Sequence, residues 1–518
     1  MARYDYNLRK FGRGLLVRDA DVRICCVGDS KTSDTAGTQQ GRFARSILNE
    51  FKLPPRSDSP CPWVSIAVSG GYNGTSMLAG YGSSSSPGAW TCTPASSGSK
   101  NPGSDGSKSG TDNQNSPIPY SDYNIANLTT RTADANVFWH VFKTLIHGSN
   151  SSQNSIWGGD PFHALQCQAR AIYTASGNGP SDMLAIGGRM AQNTNQFGAN
   201  YSADVGSSGA FDVSAAAGTV GAVSVDCGAG IGSPYIRVFN PASGVISGGS
   251  SSAASMYITG GRFFRDSSGT PISGAAFAWI GTAGHYTRQM LACIGGSSTG
   301  QSPDPYFSDA NIKSWLAQAL GRGSGNNAPT HWLLATGNNF EGGGSAETSG
   351  GSLVSATFQA NVLAVMDQMI AISQAGNGGA TPEILVVIPE VNSDGYSVAN
   401  LHEPVAAVLQ ACAAARGMSA IDLRSRTYGL VRSEGSVYAG AGPPHPPWSR
   451  AGAEPTANTP FAAATDGIHG SAMGFDWIAR IIWQELLAAN GYERGEPVVQ
   501  RAGDNGSYRR VARGLRGR

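Results

Sequence analysis

Two stretches of strand-then-helix patterning, at 22–51 and 276–489, limit what this chain can fold into. The apolar run Val22-Arg23-Ile24-Cys25-Cys26-Val27 stops at Gly28, as a buried parallel strand does, and Phe43, Ile47, Leu48 and Phe51 follow at helical spacing until Pro54-Pro55. The pattern returns with a strand at Ala276–Ile280, a helix at Asn311–Leu320, a strand at His331–Thr336 and a helix at Leu353–Ser373. A strand at Glu383–Ile388, a helix at Val398–Arg416, a strand at Met418–Leu423 and a helix at Ala472–Ala489 complete it. Such alternation predicts a parallel sheet with helices on both faces.

Between the two stretches the texture changes. Residues 80–118 are dense in Ser, Gly, Pro and Asn, which is linker composition. Short runs then follow at Ala169–Thr174, Val220–Cys227, Tyr235–Phe239 and Ser255–Thr259, separated by turn residues, and predict a β-sandwich. The expected organisation is a polar N-terminal arm at 1–20, an α/β domain in two parts at 21–118 and 276–492, an inserted β-rich domain at 119–275, and a basic tail at 493–518. An insert of this size is tolerable because loop-closure entropy grows only logarithmically with length.

Composition excludes several classes. With 36 basic and 35 acidic residues in 518, the net charge is +1, which argues against nucleic acid or an anionic membrane as partner. No window holds the ~18 apolar residues of a membrane span. Met1-Ala2-Arg3-Tyr4-Asp5 carries no apolar signal region, so the expectation is a cytoplasmic protein or one that is virion-associated and released by lysis. There are eight cysteines and no Cys-x-x-Cys. Cys25 and Cys26 are expected as buried thiols on opposite faces of one strand, and Cys61 and Cys92 are the pair open to oxidation. No metal constellation and no Walker or dinucleotide fingerprint is present, so no cofactor is expected.

The chemistry-bearing residues lie at the ends of the α/β stretches. Gly28-Asp29-Ser30 follows the first strand, where ligands of open parallel sheets bind. Asp466-Gly467-Ile468-His469 precedes the last helix, and an acid three residues before a histidine can orient that base in one turn. Serine is a weak nucleophile until a base takes its proton, and His469 could do so for Ser30. His285, His445, Trp157 and the tyrosines of the β region are weaker candidates for lining a cleft. Trp279, Trp332 and Trp477 read as core.

Together these blocks resemble the first and last blocks of the SGNH (GDSL-type) hydrolases. The third block, Gly-x-Asn-Asp, is matched by Gly337-Asn338-Asn339, with Phe340 where the family has Asp. Lys31 stands where the family has Leu. For the second block, Gly284 in Ile280-Gly281-Thr282-Ala283-Gly284-His285 is favoured because it follows a strand and opens a helix; Gly74 is the alternative. The resemblance covers about 20–80 and 276–490 and implies a flavodoxin-like three-layer α/β/α sandwich with a five-stranded parallel sheet, interrupted by a β-sandwich-like insert. It also implies ester hydrolysis through a Ser30 acyl-enzyme, with His469 as base, Asp466 as its orienter, and an oxyanion held by the Ser30 N–H, the Gly284 N–H and the Asn339 amide.

The expected substrate is a carbohydrate O-acyl group, acetyl first: the resemblance implies it, since members with a β-sandwich insert are commonly carbohydrate esterases, the composition is polar and rich in Gly and Ser, and no long apolar lid segment is present. Two rivals stand beside this expectation. One is a virion, tail or other glycan-binding protein with a silent site; the other is a lipase or thioesterase. A homo-oligomer or a virion assembly fits either.

Overall fold

Largely apolar runs mark strands buried on both faces, and Val22–Gly28 (β1), interrupted only by Arg23, is one, with all seven residues buried. The computed structural model describes residues 3–16, 22–29, 31–32, 121–124, 168–175, 183–190, 206–216, 218–226, 228, 233–239, 255–264, 275–281, 285–297, 308–321, 325–341, 346–390, 401–424, 426 and 472–491. The expected helix at 35–51, the Gly/Ser-rich linker and the basic tail lie outside them.

A first helix, α1 (Leu8–Leu16), precedes β1. The next seven described strands are β2 (Ser121–Asn124), β3 (Gln168–Ala175), β4 (Met183–Met190), β5 (Gly206–Phe211), β6 (Val220–Asp226), β7 (Ser233–Phe239) and β8 (Ser255–Phe264). They form two antiparallel sheets, ordered β2-β8-β3-β6 and β5-β4-β7. Then come β9 (Ala275–Gly281), α2 (Thr287–Cys293), α3 (Asp309–Leu320), β10 (His331–Ala335), and the two-residue strands β11 (Thr348–Ser349) and β12 (Ser352–Leu353). The chain continues through α4 (Ser355–Gly376), β13 (Glu383–Ile388), α5 (Glu403–Ala415), β14 (Ser419–Asp422) and α6 (Ala472–Ala489).

The α/β part is a five-stranded sheet, ordered β14-β13-β10-β1-β9, and every pairing is parallel. In chain order this reads 5-4-3-1-2. The order reverses between β1 and β10, which is the switch point where doubly wound sheets open a crevice at the carboxyl ends of their strands. Alternation along each strand sorts the core into two halves. Cys25, Val27, Trp332, Leu334, Ile384 and Val386 share one buried cluster with α2, α3, α4 and α5. The intervening residues Ile24, Cys26, Leu333, Leu385 and Val387 are also buried and face the other side, where α1 lies against β13, β14 and α6. Cys25 and Cys26 are free thiols on opposite faces; Cys26 Sγ lies 4.0 Å from Thr32 Oγ1. Trp332 is fully buried, with its indole N–H on Ser373 Oγ at 2.8 Å.

The stretch read as a polar arm carries a packed helix. Leu8, Phe11 and Leu15 recur at i, i+3 and i+7 and are buried, while Arg9 and Arg13 are exposed. The segment before it adds an antiparallel bridge, with Tyr6 N–H donating to Ala420 O at 2.9 Å. Three basic residues hid a three-residue apolar stripe from a compositional reading.

The β region is not remote from this sheet. Ile172 of β3 belongs to the same buried cluster as Trp315 of α3, and Arg170 Nη1 donates to Gln318 O at 3.5 Å.

Candidate active site

Three loops meet at the switch point. β1 ends in a turn in which the Lys31 N–H donates to Asp29 Oδ1 at 2.9 Å and the Thr32 N–H to Asp29 O at 3.0 Å. The turn needs glycine at 28: a Cβ there would stand 2.1 Å from Thr32 Oγ1 and 2.9 Å from Ala335 O. β10 ends at Ala335 and turns through Gly337, whose φ of 95° lies in the left-handed region that favours glycine. That turn presents Asn338 and Asn339, both half-buried, beside β1.

The amide of Asn339 is the hub. Its Nδ2 donates to Asp29 Oδ2 at 3.2 Å and to the backbone carbonyl of His285 at 3.3 Å. One side chain thus joins the turn after β1, the turn after β10 and the segment opening α2. The Thr287 and Thr336 hydroxyls, 2.8 Å apart and buried, make a second tie between the last two.

A buried ion pair adds a fourth segment, the one after β13. Lys31 Nζ contacts Glu390 Oε1 at 2.6 Å and donates to Asn338 Oδ1 at 2.9 Å. Lys31 and Glu390 are 5% and 3% exposed. Glu390 follows Pro389 directly after β13, so the carboxyl ends of three neighbouring strands are laced together.

Around these loops sit groups with displaced titration. Burial holds His285 far below its ordinary 6.5, at about 3. Its Nδ1 lies 3.2 Å from Cys293 Sγ, and its Nε2 has no hydrogen-bond partner among the described residues. Burial, helped by the charges of Arg424 and Lys31 and opposed by Glu390, holds His402 at about 4. Burial pushes Glu347 up to about 7, against the pull of its bonds from Asn361 Nδ2 and the Glu341 N–H. Glu341 itself pairs with Arg288.

These three groups set a pH dependence with opposing signs. Each histidine binds its proton more tightly when unfolded, so its contribution to stability is lost as pH falls through 6.5 toward the folded values. Glu347 binds its proton more tightly when folded, so its contribution is present at low pH and lost as pH rises toward 7. Near pH 5 the histidines release, on folding, almost two protons and Glu347 takes up most of one. The net is ~1 proton, so stability falls by on the order of 1 kcal/mol per pH unit of acidification. Glu347→Gln removes the opposing group and is expected to steepen that loss. Urea unfolding at pH 5, 6 and 7 reads both slopes; identical slopes in the two proteins would mean that Glu347 ionises normally.

Of the residues singled out from sequence, the structure brings Asn339 to the end of β1 and to the residue after Gly284. Ser30, Gly284, Gly74, Asp466, His469, His445 and Trp157 lie outside the described residues, as do Cys61 and Cys92. Asp29, Asn338 and Glu390 were not singled out, and Lys31 was noted only as a departure from the family pattern. A signal existed for Glu390: it is the first polar residue past a five-residue apolar run, the position that faces the crevice of a parallel sheet.

The chain is thus an α/β protein whose polar loops converge at the switch point of a parallel sheet. No family model matches it, and no curated protein matches it. Among solved structures it is similar to a peptidoglycan O-acetylesterase, at 13% identity and a TM-score of 0.44, over 94% of this chain and 98% of that one. It is also similar to a carbohydrate acetylesterase from Sinorhizobium meliloti, at 13% identity and a TM-score of 0.23, over 41% of this chain and 79% of that one. A lipase/acylhydrolase from Enterococcus faecalis matches at 15% identity and a TM-score of 0.24, over 43% and 80%. No described helix is long and apolar enough to cross a membrane, and no group of three or more metal-ligating side chains occurs among the described residues.

Proposed function

We propose that this protein is a serine esterase of the SGNH type that removes an O-acyl group, acetyl above all, from a carbohydrate. The observation that carries the reading is the Asn339 amide, which bonds to Asp29 beside the candidate nucleophile and to the carbonyl of His285 beside the candidate oxyanion glycine. Its two N–H bonds are at the long end of the usual range, so they can be shared with a developing oxyanion. The bond to His285 also favours Gly284 over Gly74 as the second donor.

In this reading the Ser30 hydroxyl attacks the ester carbonyl while His469 takes its proton, and Asp466 holds the imidazole and its positive charge. The tetrahedral oxyanion is stabilised by the Ser30 N–H, the Gly284 N–H and Asn339 Nδ2. Collapse breaks the bond to the sugar oxygen, which leaves with the proton from His469. Water, deprotonated by His469, then attacks the acyl-Ser30 ester; acetate leaves and Ser30 regains its proton.

A fluorophosphonate probe tests the nucleophile. Labelling that is present in the wild type and absent in Ser30→Ala supports the reading. An unlabelled wild type favours a silent glycan-binding domain. A panel of sugar acetates against longer acyl esters then separates acetylesterase from lipase or thioesterase: turnover is expected to fall as the acyl chain lengthens, and a rise would overturn the acetyl assignment.

A further inference from the structure

Ser30 is covalently joined to two residues that the β10 turn holds by separate bonds. Asp29 accepts from Asn339 Nδ2 at 3.2 Å, and Lys31 Nζ donates to Asn338 Oδ1 at 2.9 Å. Lys31 is held a second time, by Glu390 Oε1 at 2.6 Å. A buried ion pair is a poor way to gain stability, because desolvating two charges cancels most of their attraction and an apolar pair of similar volume does as well or better. Both members here are at least nine-tenths buried. What the pair supplies and an apolar pair does not is direction: a short charge-assisted bond has one geometry.

We infer that Lys31 is a positioning residue, fixing the Ser30 backbone relative to Asn339 by tying the β1 turn to the turns after β10 and β13. The inference deepens the esterase reading and rests on it. Asp29 and Lys31 are each one peptide bond from Ser30, so ties on both neighbours are the route by which the fold can act on the residue between them. Lys31 has no role in the proton transfers, since its ammonium is committed to Glu390 and Asn338.

The test compares Lys31→Met with the double variant Lys31→Met/Glu390→Leu. The single variant leaves Glu390 buried without its cation, so its unfolding midpoint is expected to drop. The double variant removes both charges, and its midpoint is expected to return to the wild-type value. The positioning role predicts that its chemistry does not return: fluorophosphonate labelling ~10²-fold slower, and kcat down by the same factor with KM near wild type, as a displacement of about 1 Å would produce. Asn338→Ala, which buries no charge, keeps the question open if the double variant fails to fold, and is expected to slow labelling about tenfold. Wild-type labelling rates in a folded double variant, or in Asn338→Ala, would overturn the inference and leave the esterase reading intact. A wild type that is not labelled would overturn that reading and the inference with it.

Discussion

Ser30→Ala is expected to lower kcat for acetyl ester hydrolysis by ~10⁴–10⁶, the range lost when the nucleophile of an acyl-transfer triad is removed. In the proposed mechanism the loss is large because nucleophile and base act as a unit: without the hydroxyl, His469 would have no proton to take and no acyl-enzyme would form. The corollary is strong non-additivity. Ser30→Ala/His469→Ala is expected to be no slower than Ser30→Ala alone, because each change removes the same step. Initial rates on an acetylated sugar and on a small chromogenic acetate check both statements. A Ser30→Ala turnover within about tenfold of wild type, or a double variant slower by the product of the single effects, would sink the mechanism.

Asn339→Ala is expected to cost ~10²–10³ in kcat, about 2.7–4 kcal/mol of transition-state stabilisation, with KM changed little. The asymmetry between kcat and KM follows from where the charge is. The ground-state carbonyl is a weak acceptor, whereas the tetrahedral oxyanion carries a full charge toward the amide. The hydrogen-bond hub sharpens the prediction through Asn339→Asp. That variant keeps the shape but sets a second carboxylate against Asp29 Oδ2 and the His285 carbonyl, where Nδ2 now donates. It is expected to lose activity at least as severely as Asn339→Ala and to lower the unfolding midpoint as well, because two attractive contacts become repulsive. Asn339→Ala with a raised KM and an unchanged kcat would place the amide in ground-state binding instead.

The sheet was legible in the sequence because its strands are buried on both faces. Glu383–Ile388 and Val22–Gly28 have no alternation to misread, and α4 shows Phe358, Val362, Val365, Met366, Met369 and Ile372 on one side. Less of the remaining secondary structure was visible. In α1 the stripe of Leu8, Phe11 and Leu15 is set among arginine, lysine and glycine. β4 and β5, MLAIGGRM and GSSGAF, contain glycines that read as turns, and it is pairing with neighbouring strands that makes them extended. At the site, Asn339 could be found because its block has a recognisable spacing. Glu390 could not be tied to Lys31, 359 positions away, because a single cross-sheet contact leaves no periodicity in either segment. His285 is marked by its place beside the favoured glycine, but neither its burial nor that of His402 leaves a local pattern in the sequence.

The central place of β1 in the sheet has a consequence for the chain's own manufacture. β1 leaves the ribosome well before either of its neighbours in the sheet. Val22 pairs with Ala275, and Ile24 with His331. At ~5–20 residues per second, translation takes roughly 13–50 s to deliver the first of these partners, and longer to deliver the second. Through that interval an apolar strand, with both edges unsatisfied, has no native mate, and the intervening β region is synthesised before β1 can dock. Asp29 and Asn339, 310 positions apart, therefore meet only after the whole intervening β region has been made, so the candidate site is a late product of assembly.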